Sequence, residues 1–118
     1  MQEATYQGGC HCGAVRYEVR TDLARVISCN CSICTKRGLL WTFVQPKQFQ
    51  LLSGEDELAD YQFASRRIHH LFCRKCGIES FARGRTQGGS DMIAVNVRCL
   101  EGVEIASLDL TPFNGRDL

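Results

Sequence analysis

Proline is nearly absent, at two residues in 118, and no repeat, low-complexity tract or block of like charge interrupts the chain. Nothing therefore marks a linker, and the length suits one domain, expected over residues 1–118. Charge of one sign is also missing. With 14 Lys and Arg against 13 Asp and Glu, the formal +1 lacks the basic surplus that phosphate-backbone binding needs, which excludes nucleic acid as a principal partner. Long hydrophobic runs are missing too. The most apolar stretch, Leu39 to Val44, is broken by Thr42 and falls far short of the ~20 residues that span a bilayer, so no membrane association is expected. The first residues, Met-Gln-Glu-Ala-Thr-Tyr-Gln-Gly-Gly, have neither a basic nor an apolar leader pattern, and a cytoplasmic location is expected. A chain this short buries a thin core.

Residues 14 to 20 alternate, with Val15, Tyr17 and Val19 on one face and Arg16, Glu18 and Arg20 on the other, the pattern of a half-buried strand. Further strands are expected over Arg25 to Ser28, Leu39 to Gln45, Phe49 to Ser53, Ile68 to Phe72, Ile78 to Arg83 and Met92 to Val97, with turns at Ser53-Gly54 and Gly84 to Gly89. Short strands with turn signals suggest an all-β domain. Residues 55–76 hold neither Gly nor Pro: Leu58, Tyr61, Ile68 and Phe72 fit a helical stripe interrupted at Ser65, while Tyr61/Phe63 and Ile68/His70/Phe72 fit strands equally well. Only Ser32 to Arg37, which begins inside a cysteine group and runs to Gly38, reads as a helical turn.

What the chain does have is cysteine, eight residues, below the ~8–10 % of a secreted disulfide scaffold and more in keeping with metal in a reducing compartment. Cys10 and Cys12 open a glycine-flanked C-x-C, and Cys73-Arg-Lys-Cys76-Gly77 is a C-x-x-C-G turn of the kind that aims two sulfurs at one point. A structural zinc takes about four ligands, so the simplest closure joins these pairs. Binding free energy at such a clip becomes folding free energy and offsets the thin core.

The middle group, Cys29-Asn30-Cys31-Ser32-Ile33-Cys34, places three sulfurs at a strand end and the first turn of a helix. Three protein ligands leave a position open, the pattern of catalytic zinc, unless Cys99, His69 or His70 closes it. Zinc with three thiolates carries a net −1, so it is a weaker Lewis acid than a three-histidine site and suits a soft ligand. A substrate thiol held there as thiolate stays nucleophilic, which points to chemistry on sulfur.

These motifs, Gly9-Cys10-His11-Cys12-Gly13, Cys29 to Cys34, Phe72-Cys73-Arg74-Lys75-Cys76-Gly77 and Asn96-Val97-Arg98-Cys99-Leu100-Glu101-Gly102, together resemble the glutathione-dependent formaldehyde-activating enzyme and centromere protein V family over about residues 7–116. The resemblance implies a mainly β, β-tent-like fold of coiled antiparallel sheets with very little helix, and strands rather than helix in residues 55–76. It implies two zinc ions per chain: a structural one on Cys10, Cys12, Cys73 and Cys76, and a catalytic one on Cys29, Cys31 and Cys34. The activity implied is that of a carbon-sulfur lyase acting on a glutathione-like thiol and a small aldehyde such as formaldehyde. The alternative is a non-catalytic zinc module for protein association, with both sites closed. Where many relatives have a His-Phe-Asp-Gly-like stretch, this chain has Pro112-Phe113-Asn114-Gly115-Arg116, which bears on substrate identity more than on metal.

Lys36 and Arg37 follow the triplet directly and are candidates for binding the carboxylates of such a thiol, or are simply solvated. His69 or His70 could shuttle a proton, though a satisfied structural histidine is the commoner case. His11 points away from its neighbours' metal and is assigned no role. Cys99 reads as a buried, inert thiol, and Trp41 and Phe43 as core or pocket wall. Seven thiolates and two divalent ions turn the formal +1 into −2, which weakens the nucleic-acid reading further.

Overall fold

The alternation around Tyr17 folds as expected. In the computed structural model, which describes residues 2–63, 66–86 and 88–117, strand β2 (Arg16–Thr21) buries Tyr17, Val19 and Thr21 on one face. It lies between β1 (Ala4–Gly9) and β5 (Phe49–Ser53), both antiparallel to it, in a three-stranded sheet. The remaining strands are β3 (Val26–Cys29), β4 (Trp41–Val44), β6 (Leu58–Tyr61), β7 (His69–Cys73), β8 (Phe81–Arg85), β9 (Asp91–Asn96) and β10 (Leu110–Phe113). They form a seven-stranded sheet in the order β10-β3-β4-β9-β8-β7-β6.

Alternation divides the large sheet into two faces. Val44, Phe81, Ile93 and Val95 pack toward the small sheet, where they meet Tyr17, Val19 and Phe49 in the main core. Tyr17, Phe49 and Phe81 form an aromatic trio with ring centroids 4.8–5.6 Å apart, and the Tyr17 hydroxyl donates to the Ser80 carbonyl at 2.9 Å. The opposite face presents Trp41, Ala82 and Ala94 to α1 (Ser32–Arg37), the single α-helix among the described residues, which contributes Ile33 and Cys34. The cysteine triplet is thus on the outer face of the sheet, away from the main core.

Residues 55–76 contain the strands β6 and β7, paired antiparallel from Leu58↔Cys73 to Tyr61↔His70. The helical stripe is not formed, because the hairpin gives Leu58 and Leu71 sheet positions against the core. Ser65, and Gln87 of the glycine turn, lie outside the described residues. The mainly β expectation with very little helix holds. One pairing departs from the antiparallel scheme: β10 runs parallel to β3, from Leu110↔Val26 to Phe113↔Cys29. β1 and β10 were not expected as strands, and the expected strand from Ile78 begins only at Phe81.

Candidate metal centres and cleft

The first cysteine pair sits at the tip of the β1–β2 hairpin, where the Cys10 N–H donates to the Val15 carbonyl at 3.0 Å. The last pair forms a knuckle after β7. The Cys73 N–H donates to the Ile78 carbonyl at 3.0 Å and the Gly77 N–H to the Cys73 carbonyl at 2.7 Å. Gly77 sits at φ 82°, a left-handed conformation that glycine adopts without strain. All four sulfurs lie within 4.8 Å of one another, and Cys12 Sγ is 3.6 Å from the sulfurs of both Cys10 and Cys73. Ligands ~2.3 Å from a tetrahedral zinc stand ~3.8 Å apart, so this donor set fits that ion. The Val15 N–H supports it by donating to Cys10 Sγ at 3.3 Å.

The thiols do not share protons evenly. Burial pushes Cys76 up, but the N–H groups of Cys12 and Ile78 and the neighbouring thiols outweigh it and bring it down to about 6. Cys12 is lowered by the Ala14 N–H, yet lost solvent and the adjacent cysteines carry it up to about 11. A divalent ion replaces these protons and holds coordinating thiols as thiolates.

The second cluster is local. Cys29 ends β3, Cys31 is the N-cap of α1, and Cys34 lies one turn in, where its carbonyl accepts from the C-cap Gly38 N–H. Their sulfurs also lie within 4.8 Å of one another, and no further His, Cys, Asp or Glu joins them among the described residues. Two N–H donors face the sulfurs: Cys31 N–H to Cys29 Sγ at 3.4 Å, and Trp41 Nε1–H to Cys34 Sγ at 3.3 Å. Burial is the main reason that Cys34 is raised, with Cys31 adding to it and the Trp41 N–H opposing. Burial also raises Cys31, but the Cys34 thiol and N–H lead the contacts that bring it down overall.

The three residues considered as a fourth ligand lie elsewhere. His69 Nδ1 is 2.7 Å from Asp60, and the buried His70 Nδ1 is 2.7 Å from Glu79. Cys99 is pushed up to about 11, by burial first and then by Cys10, Cys76 and Glu79. Its sulfur is not grouped with the triplet's.

A cleft of about 610 Å³ opens on the triplet, within the usual size of a small-molecule site. Cys29, Asn30, Cys34 and Thr35 line it from β3 and α1, and Pro112, Phe113 and Asn114 from β10 and its end. Arg98 is its one charged lining residue among the described residues, with Nε donating to the Gly38 carbonyl at 2.9 Å. Lys36 and Arg37 line a separate depression with Ser32, Ile33, Tyr61 and Phe63. Arg37 is engaged there: Nη1 donates to the fully buried Glu79 carboxylate at 2.5 Å, and the guanidinium lies over the Tyr61 and Phe72 rings.

Sequence reasoning missed four residues of this surrounding: Asn30, Trp41 as a sulfur donor, Glu79 and Arg98. Trp41 carried a signal, since a buried indole N–H needs a partner. So did Glu79, a lone charge between Ile78 and Phe81. Comparison with known proteins adds to the geometry. The profile of the family described as glutathione-dependent formaldehyde-activating enzyme matches residues 5–112. A crystal structure of a Rhodobacter sphaeroides protein is 35 % identical and superposes with a TM-score of 0.78, over 90 % of this chain and 97 % of that one.

Proposed function

Because the chain belongs to the glutathione-dependent formaldehyde-activating enzyme family, we propose that it is a zinc-dependent carbon-sulfur lyase that forms and cleaves an S-hydroxymethyl adduct between a glutathione-like thiol and formaldehyde. The observation that carries this reading is the three-sulfur cluster at the wall of an open cleft, with no fourth protein ligand among the described residues. In this reading Cys10, Cys12, Cys73 and Cys76 hold one structural zinc, and Cys29, Cys31 and Cys34 the catalytic one.

When bound at the triplet, zinc supplies a Lewis acid that keeps a substrate thiol ionised at neutral pH. The protein's own part is to place the reactants. The cleft takes the thiol with its sulfur toward Cys29 and Cys34, and Arg98 receives a carboxylate in place of Lys36 and Arg37. Trp41 and the Cys31 N–H spread charge from the ligand sulfurs, which tunes how strongly they donate. The substrate sulfur then attacks the aldehyde carbon: the C–S bond forms, the C=O π pair moves to oxygen, and that oxygen takes a proton. Among the described residues no carboxylate, imidazole or ammonium lines the cleft, so the proton is exchanged with water; Ser28 and Thr35 are the hydroxyl-bearing residues of its wall. Cleavage is the same path reversed. The chemistry suits a reducing, thiol-rich compartment, and we assign the chain to the cytoplasm.

Replacing Cys31 with Ser tests the role of the triplet. Thiol–aldehyde turnover is expected to fall at least ~100-fold on loss of a zinc ligand; unchanged turnover refutes the site. X-ray absorption separates the alternative, because four protein ligands with slow exchange at the second zinc favour a non-catalytic module.

A further inference from the structure

The residue between the first two triplet cysteines makes three bonds to the C-terminal segment. The Asn30 backbone N–H donates to the Phe113 carbonyl at 3.1 Å, its Nδ2 to Asn114 Oδ1 at 2.9 Å, and its Oδ1 accepts from the Arg116 N–H at 2.9 Å. The segment so held passes directly over the ligands. A Cβ added to Gly115 would stand 2.5 Å from Cys29 Sγ and 3.4 Å from Cys31 Cβ, a space that only a bare backbone fits.

Little else holds this segment. β10 is exposed along its whole length, with Leu110 and Phe113 each 44 % accessible, and its parallel pairing with β3 is the weaker kind of ladder. A strand with so few buried apolar contacts opens at low free-energy cost unless something local fastens it. Yet Pro112, Phe113 and Asn114 form one wall of the triplet's cleft.

We propose that Asn30 is a positioning residue: by clasping residues 113–116 against Cys29 it fixes the outer wall of the cleft, and that wall selects thiols by size. The departure from the family's pattern at Asn114 falls on this clasp, where an amide meets an amide. The inference rests on the triplet's cleft being the substrate site, but the clasp itself is open to measurement without turnover.

The test uses protein carrying one zinc per chain, at the four-cysteine site, with the triplet free, alkylated in parallel with iodoacetamide and a bulky maleimide, with labelling at Cys29 read by mass spectrometry and Cys99, outside both clusters, as internal reference. Losing the two side-chain bonds in Asn30→Ala shifts the docked-to-open ratio roughly tenfold or more. The maleimide is therefore expected to gain about that factor at Cys29 relative to iodoacetamide, while Cys99 is unchanged, and the Arg116 amide is expected to lose protection from hydrogen exchange. Asn114→Ala removes one of the two side-chain bonds, leaving Arg116 N–H on Asn30 Oδ1, and is expected to give a smaller gain in the same direction, which covers the case of an Asn30 variant that folds poorly. An unchanged reagent ratio in both variants overturns the proposal. A protein that makes no S-hydroxymethyl adduct while the variants shift Cys29 as described refutes the proposed activity and leaves the clasp standing.

Discussion

Cys73→Ser is expected to cost far more stability than Cys31→Ser, although each removes one ligand from a cysteine cluster. Cys12 and Cys73 are 61 positions apart, and cross-linking a chain over about 60 residues restricts the unfolded state by roughly 4 kcal/mol. Cys73 is also fully buried in the main core, where a hydroxyl without a ready partner costs about 1–3 kcal/mol more. Together these reach about 5 kcal/mol, comparable with the lower end of the ~5–15 kcal/mol that holds a typical domain. Cys29 to Cys34 closes a much shorter loop, worth roughly 2 kcal/mol by the same expression. Serine at position 31 is moreover a favoured helix N-cap and returns about 1 kcal/mol. Urea unfolding of zinc-loaded protein, followed by circular dichroism, measures both. Equal losses, or a loss under about 2 kcal/mol for Cys73→Ser, would falsify the assignment of one structural and one non-structural cluster.

Glu79→Gln leaves Arg37 and His70 sharing a neutral partner. Breaking a buried ion pair costs about 3–5 kcal/mol, and since Arg37 is about a third exposed the lower figure applies; a melting shift under about 3 °C contradicts the network's importance. Immediately after a chelator strips the zinc, before the chain unfolds, Cys76 is expected to alkylate before the more exposed Cys12 at pH 7. Its pKa lies at about 6 against an ordinary 9.0, so the stabilisation from its thiolate is complete above pH 9 and lost as pH falls through 6. Labelling of Cys12 first refutes this, and zinc should suppress both reactions. Arg98→Ala is expected to raise KM for glutathione roughly five- to tenfold and to leave a thiol without carboxylates unaffected; an equal rise for both thiols points to a structural role.

The cysteine clusters were legible because ligand spacing is a local property: C-x-C, C-x-x-C-G and the six-residue triplet each carry their geometry within one turn. The same holds for β2, whose alternation survives folding, and for α1, where Gly38 ends the helix. Residues 55–76 were undecided because Leu58, Tyr61, Ile68 and Phe72 satisfy both periods, and the choice is made by pairing with β8, a contact that no local pattern encodes. β10 was invisible for another reason. It is exposed throughout, contains Pro112 and is defined only by its parallel partner. Lys36 and Arg37 were named because they adjoin the triplet in sequence, but α1 turns them to a different depression, whereas Arg98 arrives at the cleft from the far side of the chain. Glu79 shows how one residue links separate clusters. It follows the Cys73–Cys76 knuckle by three positions and holds Arg37, three positions beyond Cys34.

The path of the C-terminal segment has a practical side for anyone preparing the protein. Asp117 is two residues from the glycine that lies against Cys29, so a fusion at that end starts close to the triplet. An oligohistidine purification tag fused there brings imidazoles next to three thiols, where it competes for zinc and obstructs the cleft. A tag ahead of Ala4 instead extends strand β1 of the other sheet, and metal stoichiometry measured on the two fusions is expected to differ for that reason.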